Sequence, residues 1–193
     1  PPQLSHVDRA GTGVLGFFES AGSTAVFGAR AVLEMAKPPY EPREVVRHIY
    51  QFGYRSAPLI LAAGFAIGVV LSMHTRASLE RFGAEAMIPA GLAIAFIRET
   101  GPLTAALLVA GRVGAGIGAE VGAMKVTGQI DALEASAVDA FKYLAVTRVI
   151  ALMIAMPLLT IMMDFAGILG GYVAEAAVSG MSWQQYFERS FAY

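Results

Sequence analysis

Three long apolar stretches separated by shorter polar segments dominate this chain. Residues 56–75 contain no Asp, Glu, Lys or Arg, residues 86–111 contain only the adjacent pair Arg98 and Glu99, and residues 149–174 contain only Asp164. A helix rises 1.5 Å per residue, so each stretch would be roughly 30–39 Å long, enough to cross the apolar core of a bilayer. The pattern predicts an all-α polytopic membrane protein with three transmembrane helices.

The segments around these spans are amphipathic or polar. Residues 10–55 carry apolar positions interrupted by Gly and by charges, which favours helices that lie in the membrane interface. Residues 112–148 form a polar insertion, and residues 175–193 become polar and aromatic again. We interpret residues 1–193 as a single domain. We expect the chain to be truncated at both ends, because it starts at Pro1 without Met and stops within an amphipathic run.

Composition and charge support the membrane interpretation and indicate an orientation. Charged residues make up 15% of the chain, compared with roughly a quarter in soluble domains. Ten basic residues precede the first span or lie in 112–148, whereas three lie in 76–85 or after 175. The positive-inside rule then places the N-terminus and residues 112–148 in the cytoplasm. The net charge of -1 gives no indication of nucleic-acid binding, and the absence of Cys and the scattered His residues predict no metal site.

The pair Arg98 and Glu99 is the strongest candidate for function. A charge at membrane depth costs about 3 kcal/mol or more and normally faces a protein interior or a water-filled cavity. A salt bridge that only closes a helix interface is the alternative. Pro102 follows closely and should kink or break the span beside Glu99. Asp164 should be protonated, paired or facing a cavity, and helix packing explains it about as well.

Two further patterns concern helix contacts. Gly64 and Gly68 form a G-x-x-x-G pair, which would provide a groove for another helix in the membrane. Within the insertion, Ile130 and Leu133 mark the apolar stripe of a short helix. Thr127 is a candidate N-cap for that helix; Asp139 could cap the next helix or complete a capping box with Ser136. Spacing alone favours an ordinary solvated loop helix here.

Several motifs in sequence order carry a family resemblance. FIRETGP at 96–102, the run from LLVAGRVGAGIGAEVGAMKVTGQIDALEAS into the third span, and LLTIMMDFAGILGG at 158–171 resemble the MlaE (YrbE) permeases of bacterial lipid ABC transporters, whose relatives include plastid lipid permeases. The resemblance covers roughly residues 10–175. It implies an N-terminal interfacial helix and about five transmembrane helices, of which this chain would hold three.

The resemblance also implies roles for individual residues. The short cytoplasmic helix at about 127–137 resembles the coupling helix that docks on an ATPase subunit. Its candidate coupling residues are Thr127, Gln129, Ile130, Asp131, Leu133, Glu134 and Asp139. Arg98 and Glu99 match positions near the lipid pathway of the family, and Asp164 is a weaker candidate for that pathway.

The resulting expectation is a non-enzymatic permease of the bacterial inner membrane. It would move phospholipid between that membrane and a periplasmic MCE-type carrier, maintaining outer-membrane lipid asymmetry. The implied partners are an ABC ATPase that binds ATP and Mg, a STAS-domain regulator, an MCE-domain hexamer and a second permease copy in a homodimer. No Walker motif occurs in this chain. The alternative is a proton- or ion-coupled secondary transporter using Glu99 and Asp164; an intramembrane enzyme lacks an HExxH or GxSxG signature.

Overall fold

The computed structural model describes residues 6–35, 41–136 and 139–191, and within these ranges the protein is helical and has no strand. Three helices are long and apolar enough to cross a membrane. This confirms the predicted all-α polytopic class. In chain order the helices are α1 (His6–Met35), α2 (Pro42–Phe82), α3 (Glu85–Val126), α4 (Gln129–Ala135), α5 (Lys142–Ser179) and α6 (Trp183–Ser190).

The three membrane helices extend well beyond the apolar stretches that revealed them. Residues 43–55, predicted to lie in the membrane interface, are not separate from the first span, because α2 runs unbroken from Pro42 to Phe82 through a π turn at Tyr50–Tyr54. Their interfacial position stays a prediction. Likewise, α3 continues to Val126 and includes the first part of the predicted polar insertion. Hydropathy indicates where apolar side chains begin and end, whereas a helix continues through polar residues until a residue adopts a non-helical backbone conformation. Left-handed glycines follow all three helices: Gly83, Gly128 and Gly180.

The N-terminal helix α1 is attached to the bundle through a small contact. Among its described side chains Ala31 is buried, whereas Val26, Val32 and Leu33 are exposed. The Phe27 ring meets the Phe141 ring of the α5 region edge-on, with 5.1 Å between centroids. Exposed apolar side chains of this kind suit a helix in the membrane interface, which stays a prediction. The proline pair at 38–39, expected to follow this helix, lies outside the described residues.

The first and third membrane helices, α2 and α5, run parallel and pack backbone against backbone. Gly64 contacts Met163, and Gly68 contacts Gly167. At both contacts the α5 residue follows the α2 residue by 99 positions, which shows that the two helices run in the same direction. A side chain at Gly68 would overlap the backbone of Gly167. The G-x-x-x-G pair therefore provides the close helix contact that it predicted. Such contacts matter in lipid, where helix association depends on van der Waals packing.

The second membrane helix, α3, runs antiparallel to α5 and packs into the same glycines. Its Phe96 ring fills the space that a side chain on Gly167 would occupy, and Leu92 fills the space at Gly171. Phe96 and Leu92 are both fully buried. The short helix α6 closes this end of the bundle with Tyr186, which is also fully buried. The glycines of α5 thus fix the positions of both neighbouring membrane helices.

The close contact at Gly68 leads to a prediction about stability. Gly68→Ala should destabilise the protein by about 1–3 kcal/mol, because the new methyl overlaps the α5 backbone. Gly91→Ala is the matched control, since no atom would contact its methyl and Ala favours a helix by about 1 kcal/mol over Gly. Thermal unfolding in detergent, followed through Trp183 fluorescence, compares the two variants. Equal melting temperatures would contradict the packing role.

Candidate functional site

A π turn carries the charged pair in the middle of α3. The sequence predicts a kink or a break beside Glu99; the helix does not break there but widens into a π turn at Phe96–Thr100. Within the turn the N–H of Gly101 donates to the carbonyl of Phe96, five residues earlier. Pro102 has no N–H to offer Arg98, and its ring would clash with that carbonyl in a regular helix. The wider π turn absorbs the proline without ending the helix.

Arg98 and Glu99 are both exposed on the surface of this chain. Among the described residues, neither side chain forms an ion pair or a hydrogen bond. The alternative of a salt bridge closing an interface within this chain therefore has no support from the geometry. Their neighbours along α3 are also exposed and apolar, with Ile97 47% and Leu103 66% accessible. Two unpaired charges thus lie on an otherwise apolar face at membrane depth.

Asp164 lies on the inner side of the same turn. Its carboxyl group packs directly against Gly101, where any side chain would collide with Oδ1. That oxygen is buried and has no hydrogen-bond partner among the described residues. The structure therefore brings Asp164 next to the backbone that carries Arg98 and Glu99, while the two charged side chains themselves stay exposed.

The predicted coupling helix exists as α4, although it starts differently from the prediction. Gly128, with φ 70°, precedes the helix, so the expected N-cap at Thr127 is wrong. The Thr127 hydroxyl instead donates to the carbonyl of Ala123 at 2.9 Å. The polar candidates on the helix are exposed, namely Gln129, Asp131 and Glu134.

The apolar stripe of α4 is less exposed than expected. Ile130 and Leu133 are both half-buried, and Ile130 lines an apolar cavity together with Phe27 and Phe141. After α4, the Asp139 carboxylate accepts a hydrogen bond from the Lys142 N–H at 3.1 Å and thereby caps the following helix. The alternative capping box is wrong, because the Ser136 hydroxyl donates to the carbonyl of Ala132.

A buried polar network at the opposite end of the bundle escaped the sequence analysis. Glu175 is 1% exposed, and its carboxylate accepts from Arg76 Nη2 at 2.6 Å and from Arg76 Nε at 3.3 Å. The Ser72 hydroxyl donates to the same carboxylate at 3.0 Å. Burial, together with the charge of Glu175, raises the pKa of Tyr186 on α6. Arg76 and Glu175 each lie just past an apolar span, the only local signal for this network.

Comparisons with known proteins show the family. The family model described as Permease MlaE matches residues 45–193. The chain belongs to the MlaE permease family. It is similar to a probable ABC transporter permease protein of Rickettsia felis, with 35% identity over 98% of this chain and 73% of that protein. It is also similar to the intermembrane phospholipid transport system permease protein MlaE of Haemophilus influenzae, with 33% identity over 97% and 70%.

A plant relative extends this similarity to plastids. The chloroplastic protein trigalactosyldiacylglycerol 1 of Arabidopsis thaliana is 31% identical over 83% of this chain and 46% of the relative. The MlaE family match and the three long helices agree that this chain is a multi-pass membrane permease. The roles of individual residues in transport and coupling stay predictions.

The buried and exposed ion pairs give a matched test of stability. Glu175→Ala should destabilise the protein by about 3–5 kcal/mol, because the largely buried Arg76 loses its buried partner and keeps only the more distant, half-exposed Glu85 at 3.7 Å. Asp131→Ala removes a 3.0 Å ion pair with Lys125 whose side chains are 65% and 66% exposed, and should leave the melting temperature nearly unchanged, because solvent screens exposed ion pairs. Thermal unfolding of both variants measures the difference. If the melting temperatures of Glu175→Ala and Asp131→Ala agreed within experimental error, the buried network around Glu175 would not be stabilising.

Proposed function

We propose that this chain is the permease subunit of an ATP-driven phospholipid transporter in the bacterial inner membrane. It exchanges phospholipid with a periplasmic MCE-type carrier and so maintains the lipid asymmetry of the outer membrane. Membership of the MlaE family and the similarity to an intermembrane phospholipid transport system permease of Haemophilus influenzae support this proposal. The names of the relatives as ABC transporter permeases favour it over the alternative of a proton- or ion-coupled transporter.

The observation that carries the proposal is the exposure of Arg98 and Glu99 at the middle of α3. Two charges facing hydrocarbon would each cost about 3 kcal/mol or more, so a partner must cover or solvate them. A second copy of the permease provides that cover, with a passage between the two copies. Charged side chains in an apolar wall match a phospholipid, whose headgroup is charged and whose chains are apolar.

The inward neighbour Asp164 supports the geometry of this passage rather than lining it. Its carboxyl group packs on Gly101 directly after the π turn. This contact holds the turn against α5 and fixes the direction in which Arg98 and Glu99 leave the helix. Asp164 is thus a positioning residue in the proposal, whereas the two charged residues contact the lipid.

The ATPase docks at α4 in this proposal, because α4 lies at the end of the bundle that the basic residues predict to be cytoplasmic. Its exposed polar face supplies Gln129, Asp131 and Glu134, and half-buried Leu133 adds an apolar contact. ATP and Mg bind to that partner. A STAS-domain regulator and an MCE-domain hexamer complete the proposed assembly.

Removing one member of the charged pair tests the lipid passage. Glu99→Ala should leave folding intact, because this side chain has no partner among the described residues. Bound phospholipid and ATP-driven lipid transfer should fall about tenfold, the effect of losing one charge-assisted contact. The control is Glu80→Ala, another exposed glutamate that lies at the end of α2. Melting temperature, lipid content and transfer are measured on the same purified complexes. Normal transfer by Glu99→Ala would remove the assignment.

A charge placed on α4 tests the docking surface. Leu133→Asp should abolish co-purification of the ATPase, because a carboxylate replaces the apolar contact proposed there. Leu79→Asp is the matched control. Leu79 is also half-buried, but it lies near the C-terminal end of α2, at the end of the bundle opposite α4. Both variants are compared for membrane insertion and for the amount of bound ATPase. Wild-type ATPase binding by inserted Leu133→Asp would show that docking occurs elsewhere.

A further inference from the structure

Two cavities lie side by side where α4 joins the bundle, at the end that carries Arg47, Lys125 and Arg148. We call this part of the protein the basic end. The first cavity, of about 440 Å³, opens between α1, α3, α4 and α5. Its size falls in the usual range for bound small molecules, about 300–1,000 Å³. Its walls are mainly apolar and include Phe27, Ile117, Val121, Ile130, Phe141 and Leu152.

The second cavity, of about 380 Å³, lies between α2, α3, α4 and α5 and is the more polar of the two. Two ion pairs line it: Arg47 Nη1 lies 3.5 Å from Glu44 Oε2, and Arg148 Nη2 lies 3.1 Å from Glu120 Oε2. Buried His48 is a further member of the wall. Two arginines and two carboxylates give this cavity a balanced charge rather than a net positive one.

Arg148 joins the two cavities. Its side chain is 4% exposed, and it lines both spaces together with Leu144. Arg148 Nη1 donates to the Leu144 carbonyl at 2.7 Å, which fixes the guanidinium in place. Its Nε, like Nδ1 of His48, is buried and has no partner among the described residues. Polar and apolar spaces that share one wall suit a single amphipathic molecule.

The position of the cavities along the helices also fits a lipid. The apolar cavity reaches Val149 and Leu152, where the apolar stretch of α5 begins. This depth corresponds to the boundary between headgroups and acyl chains. Ile117 is 18 residues from Glu99, or about 27 Å along α3. The cavities are therefore distinct from the proposed lipid passage.

We propose that the basic end binds a zwitterionic phospholipid, with the headgroup in the polar cavity and an acyl chain in the apolar cavity. The phosphate faces Arg148 and Arg47, while the ammonium group faces Glu120 and Glu44. A headgroup that is only anionic would give this charge-balanced cavity a net negative charge, whereas a zwitterion keeps the balance, so the charges favour the zwitterion. The acyl chain lies against Ile130 of α4, which makes the lipid a neighbour of the coupling helix. This binding needs no ATP and does not rest on transport.

Photo-crosslinking tests the proposal on the purified complex with its ATPase. The complex is placed in nanodiscs of phosphatidylethanolamine and phosphatidylglycerol that contain a trace of phosphatidylethanolamine with a diazirine in one acyl chain. Mass spectrometry should find crosslinks in residues 117–121 and 141–152. Ala145→Phe fills the apolar cavity and should lower this labelling about tenfold, equivalent to about 1.4 kcal/mol. Ala177→Phe, at an exposed position on the far part of α5, should label as the wild type does.

A second variant guards against a folding defect in Ala145→Phe. Glu44→Gln leaves the apolar cavity unchanged and removes one proposed partner of the ammonium group. It should reduce the advantage of unlabelled phosphatidylethanolamine over phosphatidylglycerol as a competitor. The proposal is overturned if wild-type protein shows no crosslinks at the basic end, or if phosphatidylglycerol competes equally well against it. Crosslinks that occur in the permease alone but not in the complex with its ATPase would assign the cavities to the protein partner, which also overturns it.

Discussion

The backbone contact between α2 and α5 is the constraint on which the rest of the structure depends. Gly68 meets the backbone of Gly167, and the same glycine of α5 accommodates the Phe96 ring of α3. Lipid tails are as apolar as the helix surfaces, so no hydrophobic gain holds these helices together. Close van der Waals packing must therefore supply the attraction. Because Gly167 has no side chain, both Gly68 of α2 and Phe96 of α3 can pack against it. The position of α3, and of its charged pair, follows from that fit.

Two sets of charged residues in the membrane helices differ in their surroundings. Near the helix ends, Arg76 pairs with Glu175 and Arg148 pairs with Glu120 within the chain. In the middle of α3, Arg98 and Glu99 find none among the described residues. The end pairs hold helices together at depths where water or protein screens the cost of charge. The central pair stays open, so its cost must be offset by something outside this chain.

Hydropathy predicted the existence of the three membrane helices but not their extents. The helices run on through polar residues, which do not break a helix, until left-handed positions such as Gly83 and Gly128. The buried face of α2 could have been found, because it recurs every fourth residue at Phe52, Ser56, Ile60, Gly64, Gly68 and Ser72. The contact of Ser72 with Glu175, 103 residues apart, could not. No local pattern specifies which partner a polar residue meets after helices assemble.

The same limit applies to the candidate site. Isolated charges in apolar stretches identified Arg98, Glu99 and Asp164, because such charges are costly and therefore stand out. Their directions depended on the packing of α3 against α5, which the sequence did not reveal. Pro102 indicated an irregularity at the correct place, although a proline predicts a disturbance without saying whether the helix breaks or widens.

The π turn gives α3 a dependence on residue count. One stripe of buried positions along this helix is spaced by four residues, except for a step of five across the turn: Leu92, Phe96, Gly101, Ala105, Val109 and Val113. The wider turn accommodates the additional residue, so the two halves of the helix face the same neighbours. Loss of one residue within the turn would give a regular helix whose buried positions recur every four residues, and both halves would keep their contacts. Loss of one residue elsewhere in α3 would instead rotate everything beyond it by about 100° and turn that part of the helix away from α5.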